Sequence, residues 1–501
     1  MSRTRLCFYN SSSEMALDCF LIVDAGSSSA KCFLVSALGE VIKSTERGWS
    51  RDTWECQKAW RLISEAVREL TIDPDVNVLA VASTSMREEF VLLDHSGNQI
   101  MVKLGEDSER HGYKVLEEHG EKMYISSGHW PVPNWMAGAI LPWITHQLPE
   151  TAKRISLMLM ISDWINYKLC GEAATEGSSA CETSLFDIKA YDWDWSIIED
   201  LGTSRSIMPK VKRSGEILGN TTPNTSRTLN LPCDTPVVMG GADTQCGLIG
   251  MGAKVGEASA VGGTTTPIQV VLDEPILDPR RRTWSNNHLI ENRWILESNA
   301  GYTGRAVKWL RDTFLSGDTD YSQLDRLAEE APPGSHGLNA YLGPHLFDSG
   351  PPYWPMDKLG NRPVEPTLTG NHSFNLQDLC RSVLEANCYA VKANLSQLQQ
   401  ITNLDFRHMN FCGGNSKSMF WMQIQADILG LPVSVPTVHH STAVGAAVLA
   451  SVGTNLYHSL EEASEHMATP RRIFKPRTNT SDRYKILYEH WMEKREHLGK
   501  R

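Results

Sequence analysis

The sequence predicts a two-domain α/β protein, and three observations carry that prediction. At 501 residues the chain is too long for one hydrophobic core. The run Val238-Met239-Gly240-Gly241-Ala242-Asp243-Thr244-Gln245 is an apolar stretch that stops at two glycines, the pattern of a buried strand turning sharply into a helix. A hairpin with a small, hydroxyl-rich turn comes at Ala25–Lys31 and again at Gly262–Thr266, so each half repeats the same parts. The repeat is one of architecture rather than of sequence. On this pattern residues 1–19 form an N-terminal tail, 20–252 a first domain, 253–480 a second, and 481–501 a C-terminal helix.

Composition narrows the class of function. Hydrophobic content of 41% and charged content of 21% describe an ordinary globular protein, and the net charge of −11 argues against binding to nucleic acid or an anionic membrane. Eleven cysteines are scattered without a Cys-x-x-Cys pair or zinc-type histidine spacing, which suits reduced thiols in a cytoplasmic protein. The first twenty residues lack the apolar stretch of a signal peptide, and no run approaches transmembrane length.

Taken in order, Phe20–Asp24 reads as a strand that runs into Ala25-Gly26-Ser27-Ser28-Ser29-Ala30-Lys31. A second strand follows at Cys32–Val35 and a third at Val41–Ile42. Small residues let backbone N–H groups approach an anion, hydroxyls add donors and Lys31 adds charge, so Ser27, Ser28 and Lys31 suit a phosphate. An ordinary turn fits the same letters. An amphipathic helix over Thr53–Leu70 and a buried strand over Val76–Ser83 come next. At the end of that strand Arg87 and Glu88 put a fork of donors beside an acceptor, a match for a polyhydroxylated ligand. The plain alternative is an exposed charge pair worth little. Val91–Asp94, with His95–Asn98 as its turn, reads as a hairpin. From Asp107 to Leu201 the pattern is mainly helical, and most of its tryptophans fit core positions. Asn134 and Trp135 lie in the proline-rich loop after Pro131-Val132-Pro133, where they can face a ligand.

Asp243 then arrives at the end of a strand and in the first turn of a helix, the place where α/β proteins bind ligands. A capping role fits equally. In the second half Glu257–Val261 and Ile268–Leu272 read as strands around Gly262-Gly263-Thr264-Thr265-Thr266. Thr303–Thr313 is a helix whose Gly304 and Lys308 share one face, within an otherwise irregular stretch from Asp278 to Phe374. His408–Cys412 is a strand meeting Gly413-Gly414-Asn415-Ser416-Lys417-Ser418, with a helix through Leu429. Pro432–Pro436 reads as an edge strand, Thr442–Ser451 as a small-residue helix and Asp482–Leu498 as a polar helix.

Asp24-Ala-Gly-Ser-Ser-Ser-Ala-Lys31, Gly240-Gly-Ala-Asp-Thr-Gln245, Gly263-Thr264-Thr265, and Gly413-Gly-Asn-Ser-Lys-Ser418 with Ser441-Thr-Ala-Val-Gly-Ala-Ala447 resemble the FGGY carbohydrate kinases of the actin-like ATPase superfamily. The match runs in order from about residue 20 to 455. Within that family Ser85-Met-Arg-Glu88, Met160-Ile-Ser-Asp-Trp164, Asn287-His288 and Trp309-Leu-Arg-Asp312 are most similar to autoinducer-2 kinases. The resemblance implies a two-domain actin-like (ribonuclease H-like) fold with a central ATP/sugar cleft, and transfer of phosphate from ATP to a hydroxyl of a small sugar or polyol. It implies Asp243 as the general base, Asp24 and Asp243 at a Mg²⁺ ion, and Ser27, Ser28, Lys31, Thr264 and Thr265 at the phosphates. Gly304, Lys308, Gly414, Asn415 and Ser418 fall where the nucleotide lies, and Arg87, Glu88, Asn134, Trp135, Asp243, Thr244 and Gln245 on the acceptor side. Phosphoryl transfer needs positioning, a metal and preorganised donors more than covalent help, and these residue types supply them.

Three departures from the family pattern bear on the substrate. Lys31 stands where Arg is frequent, Gly105–Arg110 replaces an Asn-x-Asp-x-Arg motif, and His439-His440, read as a solvated pair, replaces an acidic residue. A linear autoinducer-2 precursor, a xylulose-type pentulose and other polyols all fit. A non-kinase actin-like ATPase is the rival from another class, but it has no need of Arg87, Glu88 and Asp243 together. A homodimer is compatible with the resemblance. With the base in one half and nucleotide loops in the other, the cleft is expected to close on substrate, hinging at Gly250-Met251-Gly252 and at Ala443–Ala447.

Overall fold

The computed structural model describes residues 17–50, 54–73, 75–315, 320–342, 367–370, 373–437, 440–468 and 471–499. The expected tail lies outside these residues as far as 16, whereas Leu17, Asp18 and Cys19 already belong to the first strand. Thr53 and His439 also lie outside the described residues.

The first half is organised on a six-stranded sheet. Its strands are β1 (Leu17–Ala25), β2 (Ser29–Ser36), β3 (Val41–Gly48), β4 (Val76–Ser85), β5 (Ile217–Asn220) and β6 (Pro236–Ala242), in the order β5-β6-β4-β1-β2-β3. β4 runs parallel to β1 and to β6, while β1, β2 and β3 form an antiparallel meander. Helix α1 (Cys56–Thr71) buries Ala59, Ile63, Ala66, Val67 and Leu70, the three-and-four spacing of one helical face. A helical lobe follows, made of α2 (Glu106–Ser127), α3 (Ala137–Gln147), α4 (Ile161–Cys170) and the short α5 (Gly177–Ala180). The hairpin expected around His95–Asn98 forms: the Asp94 N–H donates to the Asn98 carbonyl at 2.9 Å, the Ile100 N–H to the Leu92 carbonyl at 2.8 Å, and Leu93 bridges Gln99 in antiparallel fashion. Phe90–Leu93 pairs in addition with Leu157–Met160. Both of those segments are apolar, and their pairing buries Val91, Leu92, Leu93, Met158 and Leu159.

From β6 the chain enters α6 (Asp243–Gly250) and the second half. Its sheet contains β7 (Ala258–Val261), β8 (Pro267–Leu272), β9 (Trp284–Asn287), β10 (Trp294–Asn299), β11 (Met409–Cys412), β12 (Val433–Pro436) and β13 (Arg471–Phe474), in the order β9-β10-β8-β7-β11-β12-β13. β12 is therefore not an edge, because β13 pairs with it through Pro436. The stretch expected to be irregular holds β9 and β10, whose buried Asn286, Asn287, Glu297, Ser298 and Asn299 hide the apolar alternation of a strand. The helices of this half include α7 (Thr303–Phe314), α8 (Tyr321–Glu330), α9 (Leu376–Thr402), α10 (Met419–Leu429), α11 (Ser441–Gly453) and α12 (Thr478–Gly499). Although α12 reads as polar, its Tyr484 and Trp491 are fully buried, and Trp491 stacks on Tyr341 with ring centroids 5.2 Å apart.

Two of the contacts between the halves, among the described residues, are extensive. Helix α11, though encoded in the second half, lies across the first sheet, packing Ala443, Val444, Ala447 and Val448 against Phe20, Ile22, Phe33 and Ala82. It also crosses α6 in backbone contact: a methyl group on Gly250 would collide with the Ser441 carbonyl, and one on Gly445 with the Cys246 carbonyl. The second meeting joins β9 and β10 to the helical lobe. Asn287 and Trp294 side chains both donate to the Ile188 carbonyl at 2.9 Å, and the Tyr124 hydroxyl donates to the Thr283 carbonyl at 2.9 Å. Arg471 of β13 ties down the linker by donating to the Met251 and Gly252 carbonyls. Among the described residues the cysteines are all unbridged, and no helix is long and apolar enough to cross a membrane.

Candidate active site

Three parallel strands end side by side. Ala25 of β1 and Ala242 of β6 both pair with Ser85 of β4, so Asp24, Arg87 and Asp243 emerge at one edge of the first sheet. Gly240 and Gly241 allow the crowding, since a methyl group on Gly240 would collide with the Ser83 carbonyl and one on Gly241 with Leu289. Asp243 is the first residue of α6, and its Oδ1 accepts from the Thr244 N–H at 2.7 Å. Burial pushes its carboxyl up to about 6, against the pull of the Arg87 charge. Asp24 is pushed to about 7, first by burial and then by the facing charge of Asp243.

Arg87 is more committed than its sequence suggests. It is 9% exposed, and its guanidinium donates from Nη1 and Nη2 to the two oxygens of Glu297, at 2.7 and 2.9 Å. Nη1 also donates to Glu182 Oε1 at 3.1 Å, and Nε stands 4.0 Å from Glu88 Oε1. Gln269 donates to Glu297 Oε2 at 2.7 Å, which completes the second-half side of the clasp. Burial alone would lower the Arg87 pKa, but Glu182 and Glu297 outweigh it and hold the side chain charged. The exposed ion pair that the sequence allowed is thus a buried, bidentate one that joins the halves. Glu88 adopts a left-handed backbone with φ 67°, unusual for a side chain that is not glycine.

Beyond Glu182 lies His129, whose Nε2 bonds Asn286 Oδ1 at 2.7 Å and whose Nδ1 stands 3.6 Å from Glu182 Oε2. Burial drives His129 down to about 3, which keeps it neutral, and pushes Glu182 up against the pull of the Arg87 charge. His129, Cys181 and Glu182 bring ligand-type atoms within 4.8 Å of one another. The Cys181 thiol donates to Ser178 O at 3.4 Å, and Arg87 already supplies a positive charge to Glu182. That arrangement serves hydrogen bonding better than a metal.

The other acceptor-side candidates divide. Thr244 donates to Gln245 Oε1 at 2.6 Å, and the Gln245 amide nitrogen is buried without a partner among the described residues. An orphan donor beside Asp243 is what a bound hydroxyl would satisfy. The Asn134 amide accepts from Ser108 Oγ at 2.6 Å and donates to Gly105 O at 3.1 Å, which ties its loop to the start of α2. Trp135 is half-buried in a small cluster with Val132, Met136 and Trp284. Glu182, Glu297 and Gln269 were missed. The available signal was a lone carboxylate inside the apolar strand Trp294-Ile295-Leu296-Glu297, since a charge is buried there only with a partner.

The residues predicted to hold the nucleotide come together. Thr264, Gly304, Lys308, Gly414, Asn415 and Ser418 line one cavity of about 870 Å³, with Tyr321, Asp325 and Trp421, which the sequence did not single out. The loops touch backbone to backbone: Asn415 N–H donates to the Gly262 carbonyl at 3.1 Å, and a methyl group on Gly304 would collide with the Gly263 carbonyl. Lys308 is paired with Asp312, and Ser418 caps α10 by accepting from the Trp421 N–H at 3.0 Å. Ser27, Ser28, Lys31 and Thr264 are solvent-exposed and Thr265 is half-buried, with the Ser27–Ser28 turn held by Trp49 donating to Gly26 O and Ser28 O.

Known proteins resemble this chain over most of its length. The profile of the FGGY family of carbohydrate kinases matches in two parts, its N-terminal domain over residues 19–250 and its C-terminal domain over 258–454. An autoinducer-2 kinase of Yersinia pseudotuberculosis serotype O:3 (strain YPIII) is 30% identical over 502 residues, covering 95% of this chain and 93% of that protein. Among solved structures, a gluconate kinase from Lactobacillus acidophilus superposes with a TM-score of 0.84 at 19% identity, covering 97% of this chain and 99% of that one. A ligand-bound xylulose kinase from the same organism superposes at 0.83 and 19% identity, covering 96% and 98% of the two chains. Plasmodium falciparum glycerol kinase with ADP does so at 0.80 and 17%, covering 96% and 99%.

Proposed function

Because this chain belongs to the FGGY family of carbohydrate kinases, we propose that it moves the terminal phosphoryl group of ATP to a hydroxyl of a small linear polyol or ketose, an autoinducer-2 precursor foremost. The observation that carries this reading is the meeting of Asp24, Arg87 and Asp243 at the ends of three adjacent strands. Asp243 takes the proton of the acceptor hydroxyl. A carboxyl raised toward 6 is a stronger base than an exposed one and is still ionised at neutral pH. Arg87 and Glu88 hold neighbouring hydroxyls, one donating and the other accepting, and Gln245 offers its unpartnered amide. The small-residue turns at Ser27–Ser28 and Thr264–Thr265, with Lys31, face the phosphates with N–H and hydroxyl donors.

Asp24 and Asp243 fit a divalent cation, since each raises the other's cost of ionisation and a positive charge between them relieves both. Mg²⁺ held there supplies charge neutralisation to the polyphosphate. The full-length identity to autoinducer-2 kinases favours the linear precursor over a pentulose. ATP consumption measured against dihydroxypentanedione, pentuloses and polyols tests this directly. The highest kcat/KM should fall on dihydroxypentanedione, and a pentulose preferred by tenfold or more would transfer the assignment to it.

A further inference from the structure

The Arg87 clasp bears on which acceptors the site can take. A guanidinium has five N–H donors in a fixed fork, and the fork's outer face matches a carboxylate with two parallel bonds. Here that face is already filled by Glu297, at 2.7 and 2.9 Å, and Glu182 takes a further Nη1 bond at 3.1 Å. What remains on Arg87, among the described residues, is Nε–H and one Nη2 hydrogen on the side where Glu88 Oε1 stands 4.0 Å away. A hydroxyl suits this remainder because it can accept from Arg87 and donate to Glu88 or Asp243. A carboxylate can only accept. It would find no free fork and would lie beside the carboxylates of Glu88, Asp243 and Glu297 in a buried setting, where like charges repel strongly.

Resting on the kinase reading above, we propose that Glu182 and Glu297 reserve the site for uncharged polyhydroxylated acceptors and make it refuse carboxylate-bearing ones such as aldonates, with Glu182 the specificity-determining residue. Glu297 is anchored from the second half by Gln269 as well as by Arg87, so it is part of the frame. Glu182 holds Arg87 through one oxygen only, on the small-residue segment Ser178–Ser184, and is the side chain whose loss frees an Arg87 donor without dismantling the bidentate pair.

The test uses the full chain with ATP and Mg²⁺ and three acceptors of one carbon skeleton: a pentulose, the matching pentitol and the matching pentonate. Wild type should act on the pentonate with kcat/KM roughly a hundredfold or more below the better neutral acceptor. Glu182→Ala should narrow that ratio by about tenfold or more. Glu182→Gln, which keeps an oxygen for Arg87 but removes the charge, should fall between. A pentonate within tenfold of the neutral acceptors in wild type would overturn the proposal, and so would an unchanged ratio in both variants once circular dichroism shows them folded. Calorimetric titration of the same compounds separates the two readings. If nothing is phosphorylated but neutral compounds still bind better than the pentonate, the kinase assignment of this acceptor class fails and the charge filter stands.

Discussion

The two ends of the site solve recognition by different means. At the acceptor end, polar side chains already bond one another: Arg87, Glu182, Glu297 and Gln269 form one buried network that spans both halves. At the nucleotide end, glycines at 263, 304 and 414 open backbone onto a roomy cavity, and side chains such as Lys308 and Ser418 are occupied with their own helices. On the proposed reading, charge in fixed positions selects among acceptors, whereas shape and backbone donors receive the nucleotide. The contrast predicts that substitutions at the first end disturb chemistry and folding, and those at the second disturb affinity.

The largest effect is expected from Asp243→Asn. Turnover should drop by roughly 10² to 10⁴, the range for a lost general base, while calorimetry finds ATP bound nearly as before. Near-normal phosphorylation would remove Asp243 from the mechanism. Arg87→Ala comes next, and here the structure changes what is measured. Removing the guanidinium leaves Glu182 and Glu297 buried without their partner, a loss of about 3–5 kcal/mol. Urea denaturation should therefore reveal the defect before any KM does. A variant of normal stability would mean that Arg87 meets only substrate.

Gly304→Ala probes the other end. The added methyl collides with the Gly263 carbonyl, and overpacking of about 1–3 kcal/mol should weaken ATP binding roughly five- to a hundredfold while leaving acceptor affinity unchanged. Equal loss for both ligands would erase the distinction between the ends. The smallest effect concerns pH. His129 titrates near 3 in the fold against about 6.5 when unfolded, so below 6.5 the unfolded chain binds a proton that the native one does not. Its contribution is complete above pH 6.5 and is lost on acidification at about 1.4 kcal/mol per pH unit. Glu182, raised by burial, works in the opposite sense, which makes the difference between wild type and His129→Gln the quantity to read. Parallel stability curves from pH 7 to 5 would show that His129 does not govern acid sensitivity.

Much of this was legible in advance, for identifiable reasons. The Gly-Gly corner before Asp243 and the loops with Gly304 and Gly413 announce themselves because a close backbone approach demands glycine and leaves it in the sequence. Helix α7 begins at Thr303 as read, and α11 differs from its reading by one residue at the start and two at the end. The clasp was hidden because its members, Arg87, Glu182 and Glu297, are far apart in sequence, and Arg87 and Glu182 alone read as surface charge. The same burial of polar groups concealed β9 and β10. The bond from Ser108 to Asn134 was not foreseen, because a loop asparagine that holds a helix start looks no different in sequence from any other.

Helix α11 also has a consequence for the order in which the chain is made. The face of the first sheet that carries Phe20, Ile22, Phe33 and Ala82 is complete once β6 has left the ribosome, yet its cover begins only at Ser441. At translation speeds of about 5–20 residues per second, that face waits on the order of ten seconds or longer in contact with water. The first half therefore does not mature as a finished unit while the second is being synthesised. Throughout that interval the nascent chain carries this apolar face uncovered, and a product truncated near Gly252 would keep it exposed.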